Sequence, residues 1–114
     1  MNAQKIAELL QAKPLTELHA EVEVSAGYAG DLLSWVMAKC PPGAAWITVQ
    51  THLNVIAVAV MLDLALLIIP DSIEMEQASI DKANEEGITV LSTPMSVFEC
   101  CGVLYKNGLP HMEK

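Results

Sequence analysis

The chain has 114 residues, 53% of them apolar but only 4% aromatic, with 14 acidic against 6 basic side chains and a formal net charge of −8. One domain of this size can bury a core without staples, and Ala, Val, Leu, Ile and Met must supply it, a palette that suits helices packed on a parallel sheet. All six basic residues are lysine and arginine is absent, which excludes nucleic acid and an anionic membrane as partners, since both need a basic footprint.

In chain order, residues 3–12 read as a short amphipathic helix with Ile6, Leu9 and Leu10 on one stripe. Pro14 ends it. Leu15 to Leu18 is expected to be a short strand. Val22 and Val24 alternate with Glu21, Glu23 and Ser25, the period of an edge strand with one wet face. Gly27 to Asp31 then forms a turn, with Asp31 as N-cap of a helix from Leu32 to Lys39. Cys40-Pro41-Pro42-Gly43 stops that helix.

Ala45 to Val49 is predicted as a strand and Leu53 to Leu62 as a helix apolar on nearly every side. A sheet alone would leave that helix with a wet face, so a second covering surface is expected, such as another subunit. Leu64 to Ile69 is a continuous apolar run of central-strand type. Asp71 or Ser72 is expected to cap a helix from Ile73 to Glu86, stopped by Gly87. Ile88 to Leu91 is the next strand. Ser92-Thr93-Pro94 reads as a cap with proline at the first helical position. The last helix runs from Met95 to Lys106, with Val97, Phe98, Cys101, Leu104 and Tyr105 as its core face. The core spans about residues 2–108, and 109–114 reads as a frayed tail. The alternation implies one α/β domain with a mostly parallel sheet of four to five strands flanked by helices.

Cys40, Cys100 and Cys101 are odd in number and lack C-x-x-C spacing. They read as small buried apolar residues of a reducing, cytoplasmic compartment. His19, His52 and His111 show no ligand spacing, and no metal or other cofactor is expected. The first ten residues hold no apolar run of signal-peptide length. The apolar stretch from Leu53 to Ile69 is broken by Asn54 and Asp63 and falls short of the roughly 20 residues of a membrane span. A soluble protein is expected.

In a parallel sheet every strand-to-helix turn falls on one edge, where ligands bind at a switch in strand order. Here those turns gather Tyr28, Asp31, Gln50, Thr51, His52, Asn54, Asp71, Ser72, Ser92, Thr93 and Ser96. Several are what helix N-caps require anyway. Gln50, Thr51, His52 and Asn54 exceed the need for one cap, and fixing the loop is the rival to ligand contact. The candidate ligand-binding set is Tyr28, Asp31, Gln50, Thr51, His52, Asn54, Ser92 and Thr93. Enzyme motifs are missing: no P-loop, no G-x-S-x-G elbow, no metal cluster. Cys100 and Cys101 fall inside a predicted helix rather than at its N-terminus, where a thiolate would be stabilised. No catalytic residues are assigned. A catalytic alternative would have to use His52 as a base oriented by Asp31.

Three segments carry a family resemblance. Gly27-Tyr28-Ala29-Gly30-Asp31-Leu32-Leu33-Ser34-Trp35-Val36-Met37-Ala38 resembles the G-Y-x-x-D-L-L-S-x-V-M-A segment of DRTGG-domain proteins. Trp46-Ile47-Thr48-Val49-Gln50-Thr51-His52-Leu53-Asn54-Val55-Ile56-Ala57-Val58-Ala59 resembles that family's W-I-T-x-Q-x-H-x-N-x-x-A-V-A. Leu91-Ser92-Thr93-Pro94 with Phe98-Glu99 resembles its L-S-T-P and following helix. The resemblance covers about residues 2–108; the five-letter string that names the family does not occur.

It implies an α/β module similar to the N-terminal domain of HPr kinase/phosphorylase, whose P-loop lies in a separate domain. Such modules are attached to phosphate acetyltransferases, to cobyrinic-acid synthase-like proteins and, between CBS domains, to some regulated pyrophosphatases. The expectation is a non-catalytic regulatory or dimerisation module, a homodimer, with a protein partner or a small polar ligand at the carboxyl edge. The alternative is a small-metabolite or nucleotide sensor as the main role.

Overall fold

The structure, a computed structural model, describes residues 1–112 and is built around three strands with no wet face. β3 (Ala45–Ile47) and β4 (Leu66–Ile69) are buried at every position, as is β5 (Thr89–Ser92). They are the middle of a five-stranded sheet of order β1-β5-β4-β3-β2, where β1 is Lys13–Pro14 and β2 is Gly27–Ala29. β2 to β5 run parallel, and β1 alone is antiparallel, on β5. The sheet is thus mixed but mostly parallel, as the strand–helix alternation predicts.

Helices cover both faces. α2 (Leu33–Lys39), α3 (Leu53–Met61) and α4 (Gln77–Glu86) each connect successive parallel strands. They pack on one face, with Val36, Val55, Ile56, Ala59 and Ala83 against Trp46, Leu67, Ile69 and Val90. α1 (Ala3–Leu9) and α5 (Val97–Lys106) cover the other, with Ile6, Leu10, Cys100 and Leu104 against Ala45, Ile47, Leu66, Ile68 and Leu91. The strand residues therefore alternate between two cores with the period of a pleat.

Several elements differ from the expectations. Val22 to Val24 is no strand. Its backbone pairs with the start of α1 instead: the Ala3 N–H donates to the Val22 carbonyl and the Val24 N–H to that of Met1, each at 2.9 Å. The edge strand is β2, inside the expected turn. Bonds to β3 (Ala45 N to Ala26 O at 2.8 Å, Gly30 N to Ile47 O at 3.2 Å) override the low strand propensity of glycine. No strand forms at Leu15 to Leu18; the pairing with β5 falls earlier, at β1, and beyond it the Thr16 hydroxyl takes over. It donates to Ile88 O and accepts from Val90 N, both at 2.9 Å.

α4 begins four residues late. Asp71 and Ser72 hold left-handed φ angles of 56° and 52°, which helix entry does not allow, and neither caps the helix. Gly87 ends α4 as expected, at φ 74°. α5 is capped by Ser96, not by Ser92 or Thr93. Ser96 and Glu99 form a reciprocal capping box, and Pro94 stays in the preceding turn. The buried stripe of α5 is set by Cys100 and Leu104, which turns Phe98 (88% exposed) and Tyr105 (73%) outward. Leu109 is buried rather than frayed, so the ordered core extends past residue 108. Residues 113–114 of the expected tail lie outside the described residues.

Candidate functional site

The polar turns were expected to border a crevice where strand order reverses. No such reversal exists among the parallel strands, which run β5-β4-β3-β2 in one direction. α2, α3 and α4 consequently share a face, and no gap opens between helices on opposite faces at the Gln50 turn.

The polar side chains of that edge are engaged with one another. The Asp31 carboxylate is no N-cap; Leu32 holds that place without a side-chain cap bond. Its Oδ1 accepts from the Thr48 hydroxyl at 2.8 Å and the Val49 N–H at 3.0 Å. Thr48 Oγ1 in turn accepts the Gln50 N–H at 3.1 Å, and Gln50 Nε2 donates to the Asp31 carbonyl at 3.1 Å. Beneath them, the buried Trp46 indole donates Nε1–H to the Gly30 carbonyl at 2.8 Å. These bonds lace the turn after β2 to the end of β3. They account for Asp31 and Gln50 by loop structure, with Asp31 and Thr48 acting as surrogate backbone partners.

The remaining candidates are dispersed. The Thr51 carbonyl accepts from the buried Ser79 hydroxyl at 2.8 Å, which pins the turn to α4. His52 Nδ1 faces Glu76, not Asp31, at 3.4 Å, with both side chains more than half exposed. Water screens such a pair strongly. Asn54 is exposed and makes no side-chain hydrogen bond among the described residues. Ser92 is a buried strand residue opposite Lys13. Thr93 is wholly buried, donating to the Leu10 carbonyl at 2.7 Å and accepting from the Met95 N–H at 3.1 Å. The ring of Tyr28 packs against the α2–α3 core.

An apolar cleft lies elsewhere. A cavity of about 400 Å³ sits between β2, α5 and the segment that follows α5. Its border includes Gly27, Ala29 and Ile47 from the sheet, Cys101, Leu104 and Tyr105 from α5, and Leu109 to His111 beyond. Of the candidate set only Tyr28 borders it. The cavity exists because the two β2 residues facing α5 are the smallest in the alphabet. The C-terminal segment closes one side: the Gly27 N–H donates to the Pro110 carbonyl at 3.1 Å. A Cβ on Gly27 would stand 3.2 Å from Leu109 Cδ2, so glycine permits this approach. The alternation Gly27/Ala29 on one strand was the sequence signal for this space, and a reading of those residues as a turn hid it.

With the geometry in hand, comparison with known proteins places the fold. Among solved structures the chain matches the CBS and DRTGG domains of the regulatory region of Clostridium perfringens pyrophosphatase, complexed with the activator diadenosine tetraphosphate. The TM-score is 0.70, with 20% identity, over 96% of this chain and 47% of that one. The fold is DRTGG-like. At this identity the likeness bears on fold alone, and this chain spans about half the length of that region. No protein-family model matches the chain, and no curated protein matches it either.

Within this DRTGG-like fold, the groups that could do chemistry are few. Burial pushes the Cys100 thiol up to about 11, helped by the neighbouring Cys101 and the negative charges of Glu99 and Asp71. Burial raises Cys101 as well. Both therefore stay neutral and weakly nucleophilic near pH 7. Among the described residues, no three His, Cys, Asp or Glu side chains converge on a point that could hold a metal ion. No helix among the described residues is long and apolar enough to cross a membrane.

Proposed function

We propose that this protein is a non-catalytic regulatory module that works as a cytoplasmic homodimer. The observation that carries the reading is the outward stripe of α3. α3 is the middle helix of its layer and contains no charged residue. Leu53, Ala57, Val60 and Met61 follow one another at helical spacing on its exposed side. Met61 is 60% exposed, and nearby Leu32, at the N-cap of α2, and Trp35 within it are exposed at 61% and 59%. Apolar exposure of this extent on one layer is the usual mark of an interaction surface. A second copy is the simplest cover, because a two-fold axis pairs such a stripe with itself.

Support from the comparison is at the level of fold: the matched structure belongs to a regulatory region rather than a catalytic one. The dispersal of His52, Asp31 and the cysteines agrees with a non-catalytic role. Sedimentation velocity at micromolar concentration is the test. Wild type should sediment as a dimer and a Met61→Glu variant as a folded monomer, since burying an unpaired carboxylate is strongly unfavourable. A monomeric wild type ends the dimer reading.

A second reading, ligand sensing, is favoured by the β2–α5 cleft. It moves the binding position from the carboxyl-edge turns, where the side chains satisfy one another, to the opposite face of the sheet.

A further inference from the structure

We infer that the cleft between β2 and α5 binds a small, flat, uncharged molecule, seated on the bare backbone of Gly27 and Ala29 and anchored by the Ala29 N–H. Four observations carry this. The volume, about 400 Å³, is at the small end of ligand pockets, which span roughly 300–1,000 Å³. The two β2 residues that face α5, Gly27 and Ala29, offer nothing larger than a methyl group, while Cys101 and Leu104 of α5 rise beside them. That makes a slot, which suits a ring better than a branched molecule.

Charge sets the second limit. Apart from His111, no border residue is ionisable to a cation, and none is a carboxylate. A charged ligand would lose water there without gaining an ion pair, which is costly. Nor does the chain's net charge of −8 invite an anion.

The hydrogen-bonding handle follows from pleating. Ala26 O and Gly30 N bond to β3, so the alternate residues Gly27 and Ala29 aim their N–H groups at the open edge. Gly27 uses its own on Pro110. Ala29 is exposed, and its N–H has no partner among the described residues, which leaves it to meet an acceptor nitrogen or oxygen on the ligand. Finally, Tyr105 stands at the rim although α5 leaves it 73% exposed, an orientation that costs burial unless something covers the ring.

The inference deepens the sensing reading and rests on it. The α3 stripe lies on the opposite face of the sheet, so binding and dimerisation are separately measurable. The test is titration of the isotope-labelled full chain with benzimidazole, adenosine and AMP, followed by amide NMR. Benzimidazole and adenosine should shift Gly27, Ala29, Tyr105 and Leu109 saturably. AMP, the same base with a phosphate, should bind at least about tenfold more weakly. Ala29→Leu, which fills the floor, and Tyr105→Ser, a change at an exposed side chain, should each weaken binding by about tenfold. His52→Ala should not. The inference is overturned if no probe saturates, if shifts map to the Gln50 turn, if AMP binds as well as adenosine, or if both cleft variants bind like wild type. A wild-type chain that sediments as a monomer and still binds would refute the dimer reading and leave this one standing.

Discussion

Thr93 offers the sharpest test of whether the carboxyl-edge residues serve structure or ligand. Thr93→Val keeps shape and volume and removes only the hydroxyl. That hydroxyl donates to the Leu10 carbonyl at 2.7 Å and accepts from the Met95 N–H at 3.1 Å. Leu10 is fully buried and Met95 half-buried. Valine would strand both backbone groups, and each unsatisfied group costs about 1–3 kcal/mol. With Leu10 near the top of that range and Met95 near the bottom, the loss is about 4 kcal/mol. For a domain of this size that lowers Tm by about 15 °C. Urea unfolding followed by circular dichroism should show a lower midpoint at unchanged slope, because the surface exposed on unfolding is the same. Thr93→Ser keeps both bonds and should cost only about 1 kcal/mol for the missing methyl. If Thr93→Val unfolds within about 0.5 kcal/mol of wild type, or Thr93→Ser loses as much as valine, the hydroxyl is not what holds this junction.

Trp46→Phe removes the Nε1–H bond to Gly30 and leaves space in a fully buried site; a loss of about 2–4 kcal/mol is expected in the same urea assay. Ser96→Ala breaks the capping box of α5 and should cost about 1 kcal/mol, with Glu99→Ala costing less because only the Glu half is lost. Cys100 predicts alkaline sensitivity. Its folded thiol holds its proton up to about 11 while the unfolded one gives it up near 9.0. Above pH 9.0 the unfolded state therefore binds fewer protons than the folded one, and stability declines until pH reaches about 11. Cys100→Ala should flatten that decline in urea midpoints measured across the range; an unchanged decline would assign it to other groups.

The middle of the fold was legible because burial on both sides writes itself as unbroken apolar runs. β3, α3 and β4 were expected at Ala45 to Val49, Leu53 to Leu62 and Leu64 to Ile69, close to where they lie. The edges were not, because their structure is dictated by partners far along the chain. β2 is a strand by virtue of β3 and of Pro110, not of its own Gly-Tyr-Ala composition. The register of α5 was misread because Phe98 and Tyr105 are large and aromatic, yet the smaller Cys100 is the residue facing the sheet. Of the polar turns, Gln50 to His52 lies between β3 and α3 as expected, whereas Gly27 to Ala29 is strand. Whether an Asp at a turn caps a helix, binds a ligand or, like Asp31, ties down the neighbouring turn depends on geometry that composition does not carry. The cleft was hidden for the complementary reason: it is defined by side chains that are missing.

The distribution of helices between the two faces has a kinetic consequence. Each of β2 to β5 pairs with its neighbour in sequence, so the sheet and the α2–α4 layer can zip up through local steps with short loop closures. The other face needs α1 to meet α5 and β1 to meet β5. The Thr93 to Leu10 bond, for example, joins residues 83 positions apart. That closure bears the larger chain-entropy cost and should come last in folding and first in local opening. Native-state hydrogen exchange should then find the amides of α1 and α5 opening together, ahead of β3 and β4. In that partly opened state Ala45, Ile47, Leu66 and Ile68 would be uncovered at once, making this face the one from which misassembly begins.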